Sequence, residues 1–382
     1  MTRSRAIIVG AGINGLCTAW ALHKRGWAVT VLDQAAALPN KMGASFDHNR
    51  LMRGHYAGQP GYAARIPAAH AAWQELWDDL GAAHFARTGV IAVSETPGDW
   101  TDRARTAMQT AGLPHEVIEG PDTARRFGFL APGRARFTLL TPGDGALMAA
   151  PILNGLIDWL EAAGVELIAG AEVAEVDPER GRVTTRTGAQ YDADAVVLAG
   201  GHNLARLMPT RFDASAFVSM RSVIMYVTPP PALAAQLAGA PCWVDLGGED
   251  DLWGAAPMRG IAMKLGLGAN TRPHPPGTAG RAVTAQEVAR YFAAYEPRMP
   301  GISASTVQAA IANYYIMAPE ARFVLAQDGA VFGVSACSGH GFKFGALTGQ
   351  DVADAVCGGA FGPIAARVAG HDGCDAAAMP GT

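Results

Sequence analysis

The stretch RAIIVGAGINGLCTAWALHKRGWAVTVLDQ, residues 5–34, decides the fold prediction. It opens with an apolar run at 6–9, passes through glycines spaced GxGxxG, and continues at 16–25 with the apolar spacing of a helix. Gly26 suits the C-terminus of that helix, and a second apolar run at 28–32 ends in an acidic residue. The pattern predicts a strand, a glycine turn, a helix and a second strand parallel to the first.

Each glycine of this turn has its own mechanical role. Gly10 permits the tight turn, Gly12 lets a pyrophosphate approach the backbone, and Gly15 lets the helix pack closely on the strand. The N-terminus of the helix attracts phosphate, and Asp33 can accept hydrogen bonds from a ribose 2′-hydroxyl. The segment predicts a dinucleotide site, and the alternative is a glycine-rich turn that holds no ligand.

Later segments favour FAD over NAD. Residues 151–163 predict an amphipathic helix, 165–176 a strand, and 188–201 a hairpin return that leads into a strand at 195–198. The βαβ pattern therefore resumes after a long intervening segment, as in an interrupted nucleotide-binding domain. The small residues 199–201 resemble the turn that flavoproteins of this fold place near the cofactor. An ordinary α/β insertion is the alternative.

The pattern changes to strands between residues 211 and 323. VSMRSVIMYVT at 218–228 and RGIAMKLGLGA at 259–269 read as strands, and the PPP and GGEDD turn signals between them predict an antiparallel sheet. A helix is predicted at 283–295. A strand, a glycine turn and a helix at 346–357 then return the chain to the first domain.

The expected fold class is α/β (α+β overall), with a Rossmann-like FAD-binding domain interrupted by an antiparallel-sheet substrate domain. The expected ranges are 1–84, 146–210 and 326–370 for the FAD-binding domain, 85–145 and 211–325 for the substrate domain, and 371–382 for a disordered tail.

Composition excludes several classes of protein. A chain of 382 residues with 49% hydrophobic and 17% charged residues is globular and long enough for two domains. The net charge of −4 and the absence of a basic run argue against nucleic acid and anionic membranes as partners. Five cysteines without a CxxC pair suit a reducing compartment and argue against a metal site. We expect a cytoplasmic monomer or small homo-oligomer without a signal peptide or spanning helix.

Lysine is scarce in this chain. Of 30 Lys plus Arg, the lysines are Lys24, Lys41, Lys264 and Lys343. Lys343 lies between two phenylalanines in a glycine-rich turn, and Lys264 lies in an apolar strand segment. A lysine supplies a compact, titratable charge where an arginine would supply a large planar fork. We therefore expect functional roles for these two lysines, with an ordinary surface cation as the alternative, and surface positions for Lys24 and Lys41.

Four segments together resemble monomeric sarcosine oxidase and N-methyltryptophan oxidase, which are FAD-dependent amine oxidases of the D-amino-acid oxidase superfamily. The segments are GAGINGL with Asp33, ASFDHNRLMRGHY at 44–56, AMKLG at 262–266 and SGHGFKF at 338–344. The resemblance implies oxidation of a C–N bond in an amino acid or secondary amine that carries a carboxylate. It also implies hydride transfer to flavin N5 and reoxidation by O2, which yields an imine and H2O2.

The resemblance implies roles for individual residues. Arg53 pairs with the substrate carboxylate, Lys343 shares that work, and Lys264 lies near flavin N5 and promotes the reaction with oxygen; these are the expected catalytic residues. Tyr315 and Trp253 are expected to line the substrate pocket, with a core position as the alternative. The expected cofactor-binding residues are Gly10, Gly12, Ile13, Asn14, Gly15, Asp33, Gln34, Ser45, Arg50, Val173, Gly200, Gly339, His340, Gly341, Phe342 and Lys343. We expect His340 to act as a turn residue and not as a general base.

Three positions depart from the family pattern. Asn313 stands where the family ties the flavin to a cysteine, so we expect non-covalent FAD. Cys337 is a second possible attachment point or, alternatively, a buried thiol. Gly268 and Phe46 stand at the positions of two family histidines, so the pocket is altered. The alternative functions are a flavin dehydrogenase, a biosynthetic tailoring oxidase of a bulkier amine, and a flavin-binding module without catalysis.

Overall fold

A computed structural model describes residues 3–275 and 280–371. Apart from His371, the predicted disordered tail at 371–382 lies outside the described residues. Among the described residues, none of the helices combines the length and the apolar character needed to cross a membrane.

The described residues form strands and helices along the whole chain. The strands are β1 (Arg5–Val9), β2 (Ala28–Leu32), β3 (Arg50–Met52), β4 (Phe85–Ala86), β5 (Val90–Ser94), β6 (Glu116–Glu119), β7 (Phe137–Thr141), β8 (Gly145–Leu147), β9 (Glu166–Ile168), β10 (Val173–Asp177), β11 (Arg182–Thr185), β12 (Gln190–Asp192), β13 (Ala195–Leu198), β14 (Val218–Thr228), β15 (Cys242–Asp245), β16 (Leu252–Ala255), β17 (Met263–Pro273), β18 (Thr306–Met317), β19 (Val324–Asp328) and β20 (Val331–Ser335). The helices are α1 (Ile13–Lys24), α2 (Pro60–Ala64), α3 (Ile66–Leu80), α4 (Trp100–Thr110), α5 (Gly120–Arg126), α6 (Ala149–Ala162), α7 (Leu204–Leu207), α8 (Pro231–Gln236), α9 (Ala285–Tyr295), α10 (Gly345–Val356) and α11 (Phe361–Val368).

A six-stranded sheet carries the predicted nucleotide-binding unit. Its order is β19-β20-β13-β1-β2-β9, and its pairs are parallel except that β19 runs antiparallel to β20. The segment that opens the chain therefore forms the centre of the sheet, as predicted. The strands β13 and β20, which lie far along the sequence, complete it, so the nucleotide-binding sheet is interrupted by other structure.

The prediction of one strand at 165–176 was wrong in its extent. The structure breaks this stretch into β9, which joins the six-stranded sheet, and β10, which joins a small sheet with β11 and β12. Gly170 lies between them with a φ of 74°, a backbone conformation that favours glycine. The amides of Gly170 and Ala171 donate to the carbonyl oxygens of Ala35 and Asp33 instead of to a neighbouring strand. The turn is therefore tied to the end of β2.

A second large sheet contains the strands of the middle of the chain. Its order is β18-β14-β17-β16-β15-β5-β7-β6, and every pair is antiparallel except β15 with β5. Helix α9 packs on this sheet through Tyr291 and Tyr295, which are fully buried. The predicted fold class, an α/β unit interrupted by an antiparallel sheet, is confirmed. The exact domain ranges stay a prediction.

Two of the three glycines in the GxGxxG turn allow a close approach of backbone atoms, and the third does not. A Cβ at Gly10, where φ is 108°, would lie 2.7 Å from the carbonyl oxygen of Ala199. A Cβ at Gly15 would overlap the carbonyl oxygen of Gly10, whereas a Cβ at Gly12 would meet only the Ser45 hydroxyl, at 3.1 Å. Gly10 and Gly15 are therefore needed for packing, and Gly12 leaves its space open to a ligand.

This difference predicts opposite effects of two alanine substitutions. Gly15→Ala should destabilise the cofactor-free protein by about 2 kcal/mol or more, because the backbone must move to relieve the overlap. Gly12→Ala should leave that stability close to wild type and weaken retention of the cofactor. Thermal unfolding of the cofactor-free proteins measures the first effect, and equal midpoints for the two variants would contradict the assignment.

Candidate active site

A first cavity of about 410 Å³ lies where the carboxyl ends of β1 and β2 meet the N-terminus of α1. Gly12 caps this helix without a side-chain hydrogen bond, and its first turn holds no acidic residue. The amide of Ile13 donates to the hydroxyl of Ser45 at 2.9 Å. The first turn of the helix therefore presents its partial positive charge to the cavity without an acidic residue of its own, which suits a phosphate.

The predicted acid at the end of β2 also faces this cavity. Asp33 is buried, and its two carboxylate oxygens accept from the amides of Ala11 (2.7 Å) and Ala35 (2.8 Å). The oxygen Oδ1 of Asn14, also on the cavity wall, is buried and has no hydrogen-bond partner among the described residues. A fixed carboxylate, an open helix end and an unpaired polar atom fit a dinucleotide such as FAD.

Most of the predicted cofactor residues line this first cavity. They are Gly10, Gly12, Ile13, Asn14, Asp33, Gln34, Ser45, Val173, Gly200 and Phe342. Gly15 packs beneath the turn instead. The others line a second cavity, and they are Arg50, Gly339, His340, Gly341 and Lys343.

The second cavity, of about 750 Å³, adjoins the first. The two share the residues Ala44, Tyr314, Tyr315, Cys337 and Phe342. The structure brings the predicted catalytic and substrate residues together on the second cavity, and they are Arg53, Lys264, Lys343, Trp253 and Tyr315. Their positions come from five separate chain segments, so the fold alone makes them neighbours.

Arg53 follows β3 and is held by aromatic rings. Its guanidinium carbon lies 4.9 Å from the ring centroid of Tyr56 and 5.8 Å from that of Trp100. One guanidinium nitrogen donates to the carbonyl oxygen of His55. In residues 3–275 and 280–371, Arg53 forms no ion pair with a carboxylate. Most of its donors are therefore available to an anion.

Lys343 is the second cation of this cavity, and it is 2% exposed. It lies in the helical turn Phe342–Phe344, and its ammonium donates to the carbonyl oxygen of His340 (2.8 Å) and the hydroxyl of Tyr56 (3.2 Å). Burial and the charge of Arg53 hold the pKa of Lys343 well below its usual range. The part of the chain that the structure describes gives this lysine no carboxylate partner. Two such cations on one cavity suit a carboxylate ligand.

Lys264 differs from Lys343 because it has an acidic partner. It lies on β17, and its ammonium donates to the carboxylate of Asp47 (2.6 Å) and the carbonyl oxygen of Asn49 (2.5 Å). The ammonium also lies 5.6 Å from the ring centroid of Trp253. Burial lowers the pKa of Lys264, while Asp47 opposes that shift.

His340 is fully engaged by the protein. The hydroxyl of Tyr56 is hydrogen-bonded to its Nδ1 (3.0 Å), and its Nε2 donates to the carbonyl oxygen of Ala321 (2.9 Å). Its ring stacks on Phe323 at a centroid distance of 4.5 Å. Burial and Lys343 hold the pKa of His340 well below its usual range. These contacts support the expectation that His340 orders the turn and is not a general base.

Two of the positions that depart from the family pattern lie on the second cavity. Asn313, on β18, and Gly268, on β17, are among its lining residues. A Cβ at Gly268 would lie 2.7 Å from the carboxylate of Asp251, so that side chain fills the space. Phe46 packs instead against the hydrophobic core.

The sequence reasoning missed four residues of this site. Tyr56 contacts both Arg53 and Lys343. Its position three residues after Arg53 is the sequence feature that could have indicated this role. Asp47 lies in the same segment and was given no role. Trp100 and Tyr226 come from a helix and a strand with no motif, so only the fold reveals them.

A cavity that fits a dinucleotide and adjoins a second cavity lined by Arg53 and Lys343 suits a flavin-dependent oxidoreductase. The chain belongs to the FAD dependent oxidoreductase (DAO) family, which it matches over residues 5–355. It is an FAD-dependent oxidoreductase, and the predicted cofactor and family resemblance are confirmed.

Individual relatives agree with this assignment. The chain is 23% identical over 359 residues to monomeric sarcosine oxidase of Bacillus sp. (strain NS-129), with 92% of each chain covered. It is also 23% identical over 355 residues to N-methyl-L-tryptophan oxidase of Yersinia pestis (strain Pestoides F), with 90% of this chain and 92% of the relative covered. Among solved structures, a Tyr258Phe mutant of NikD, an amino acid oxidase of nikkomycin biosynthesis, superposes with a TM-score of 0.77 at 22% identity. That comparison covers 94% of each chain.

The environment of Lys343 predicts a pH-dependent affinity for carboxylates. A bound carboxylate raises the lowered pKa of Lys343, so binding takes up a proton wherever the lysine is neutral in the free protein. The dissociation constant of propionate should then rise with pH, by up to about tenfold per pH unit. Titration of the flavin spectrum with propionate between about pH 6.5 and 9 measures this, since propionate stays ionised throughout.

Lys343→Met should bind propionate more weakly and lose this pH dependence. Lys41→Met is the matched control, because Lys41 is exposed and should leave both properties unchanged. An identical pH profile in Lys343→Met and wild type would contradict the assignment.

Proposed function

We propose that this enzyme oxidises the C–N bond of an amino acid or secondary amine that carries a carboxylate. The observation that supports it most strongly is the pairing of Arg53 with Lys343, two cations without carboxylate partners among the described residues, on one cavity. Sarcosine and N-methyl-L-tryptophan, which appear in the names of the two relatives, are both N-methyl amino acids. Their chemistry agrees with a site that binds a carboxylate.

The two cations divide the binding of the carboxylate. Arg53 supplies a planar fork that can donate two parallel hydrogen bonds, and its guanidinium carbon lies 4.9 Å from the ring centroid of Tyr56. Lys343 supplies a compact charge from the turn Phe342–Phe344, which is far from Arg53 in the sequence. Fixing the carboxylate at two points orients the carbon next to nitrogen, so the protein contributes mainly by orientation.

FAD, held by the residues that line the first cavity, would supply the redox chemistry as a hydride acceptor. We propose O2 as the electron acceptor, with H2O2 and an imine as products and non-covalent attachment of FAD. Lys264 would place a positive charge where oxygen is reduced. Asn313 supports non-covalent binding because it offers no nucleophile, and loss of solvent around Cys337 raises the pKa of that thiol and disfavours the thiolate.

A bulkier substrate is the second candidate, and the lining of the second cavity favours it. The cavity of about 750 Å³ would be shared by the substrate and the part of the cofactor that Arg50 and Gly339 border, and Asp245, Glu249 and Asp251 extend its wall beyond these residues. A substrate with a large side chain would use this space.

Anaerobic reduction of the flavin tests the proposed reaction. N-methyl, cyclic and free amino acids, small and bulky, are added in turn to the purified protein, and the visible flavin spectrum is followed. We expect at least one carboxylate-bearing amine to bleach the oxidised band. Arg53→Lys, which keeps the charge and loses the fork, should need a higher concentration of that amine. A spectrum that no amine bleaches in FAD-loaded protein would contradict the proposal.

Lys264→Met tests the choice of oxygen as acceptor. The variant should keep anaerobic reduction by the substrate and react with oxygen roughly a hundredfold more slowly, because a charge beside the reacting oxygen is lost. Stopped-flow mixing of the reduced protein with oxygen measures the rate, and Lys24→Met is the control, because Lys24 is exposed and paired with Glu75 and Asp79. Unchanged oxygen kinetics in Lys264→Met, or a wild type that forms no peroxide, would refute this role.

A further inference from the structure

We propose that Asp47 is a positioning residue that keeps the Lys264 ammonium charged and directs it into the second cavity. The inference rests on the proposed function, specifically on the proposed role of Lys264 in the reaction with oxygen. From the sequence, Asp47 could be placed near the two arginines of its segment, but no chemistry could be assigned to it.

The contact between the two side chains is close and dry. The Lys264 ammonium lies 2.6 Å from Oδ2 of Asp47, and the two side chains are 3% and 4% exposed. The carbonyl oxygen of Asn49 takes a second ammonium proton at 2.5 Å. An ammonium has three protons to donate, and the described residues accept only these two. The third is left for a water or a reactant in the second cavity, which Lys264 lines.

Asp47 is itself held by more donors than the ion pair requires. The hydroxyl of Tyr226 and the amide of His48 (2.8 Å) both donate to its Oδ1. The guanidinium of Arg50 lies 3.1 Å from Oδ2. These groups fix the carboxylate in place and favour its ionised form, and the lysine and arginine charges lower the pKa of Asp47 in spite of its burial.

The other groups that face Lys264 cannot replace Asp47. Arg50 is a like charge and, with burial, favours the neutral amine. Cys242, on β15, has a pKa that burial raises to about 11, so it is a neutral thiol near pH 7. Tyr226 on β14 is likewise a neutral phenol, because burial raises its pKa. Trp253 on β16 contributes only the face of its ring. Asp47 is thus the only anion that contacts the ammonium within the described residues.

The net charge of this group follows from the contacts. Lys264 and Arg50 are two cations, and Asp47 offsets one of them, so the group keeps one positive charge beside the cavity. Without Asp47, the buried Lys264 would lie in the field of the partly buried Arg50 with no offsetting anion, and the lysine, which can lose its proton, would become neutral at lower pH. Asp47 therefore extends to higher pH the range in which a charge is available to the reaction.

The small number of lysines makes a direct test possible. Protein labelled with ¹³C at the lysine ε-carbon gives signals from four residues, and the Lys264 signal is the one missing in Lys264→Met. The midpoint of its pH titration is then measured in the FAD-loaded wild type and in Asp47→Asn. The amide can still accept a hydrogen bond from the lysine, so the geometry is kept while the charge is removed. We expect the midpoint to fall by roughly one to three pH units.

Three controls accompany this titration. Tyr226→Phe removes a hydrogen bond to Asp47 but no charge, so the Lys264 midpoint should stay at or above the wild-type value. Asp245→Asn removes a buried carboxylate that lines the second cavity but does not contact Lys264, and it should leave the midpoint unchanged. Asp47→Ser is a second way to remove the charge if Asp47→Asn does not fold. An unchanged midpoint in the folded charge-removal variant, or an equal fall in Asp245→Asn, would overturn the inference.

The reaction of the reduced protein with oxygen provides an independent measurement. The proteins are reduced with dithionite, so no amine substrate is needed, and the oxygen rate is followed against pH. The high-pH loss of rate should begin at lower pH in Asp47→Asn than in wild type, in step with the lysine midpoint. Coincident pH profiles would count against the inference. A failure of every amine to reduce the flavin would contradict the proposed function and leave both of these results intact.

Discussion

The close approach of α10 to α1 is the constraint on which the site depends. A Cβ at Gly345 would lie 2.5 Å from the side chain of Ile13, and a Cβ at Gly349 would lie 2.5 Å from the backbone of Cys17. Because α1 begins at the glycine turn and α10 follows the turn that carries Lys343, this packing sets the first cavity beside the second. The indole of Trp73 adds a hydrogen bond of 2.6 Å to the carbonyl oxygen of Lys343 and ties the turn to α3.

The electrostatics of the second cavity divide into two parts. On one side, Arg53 and Lys343 are held by aromatic rings and carbonyl oxygens and have no carboxylate partner among the described residues, an arrangement that costs stability in the absence of a ligand. On the other side, Lys264 is paired with Asp47. A substrate carboxylate would neutralise the charges of Arg53 and Lys343. The Lys264 ammonium would stay charged throughout the reaction because Asp47 is its permanent partner. The two buried lysines thus have different environments and, in this account, different tasks.

Much of the fold and several residues of the candidate site could be predicted from the sequence, because they depend on local sequence patterns. Residues 5–34 contain a complete strand, turn and helix, and few other folds share the spacing of their glycines and apolar residues. The segment SGHGFKF marks the turn before α10. The break between β9 and β10 was missed because a strand pattern does not show which sheet each half joins. The partners of the cations were missed for a related reason: Asp47 meets Tyr226 and Lys264 only when β14 and β17 lie beside the segment after Ser45. Sequence identifies charged groups, whereas contacts across the fold decide which of them are paired.

The central claim is that Arg53 and Lys343 recognise a carboxylate on the cavity that adjoins the cofactor. The most direct measurement compares two ligands of nearly equal shape, benzoate and benzamide, by titration of the flavin spectrum of the FAD-loaded protein. Hydrogen bonds to charged groups contribute about 1.5–3 kcal/mol, so the account predicts that benzoate binds at least roughly tenfold more tightly than benzamide. Equal affinities for the two ligands would contradict it, because cations that do not distinguish a carboxylate from its amide do not hold the substrate by its charge.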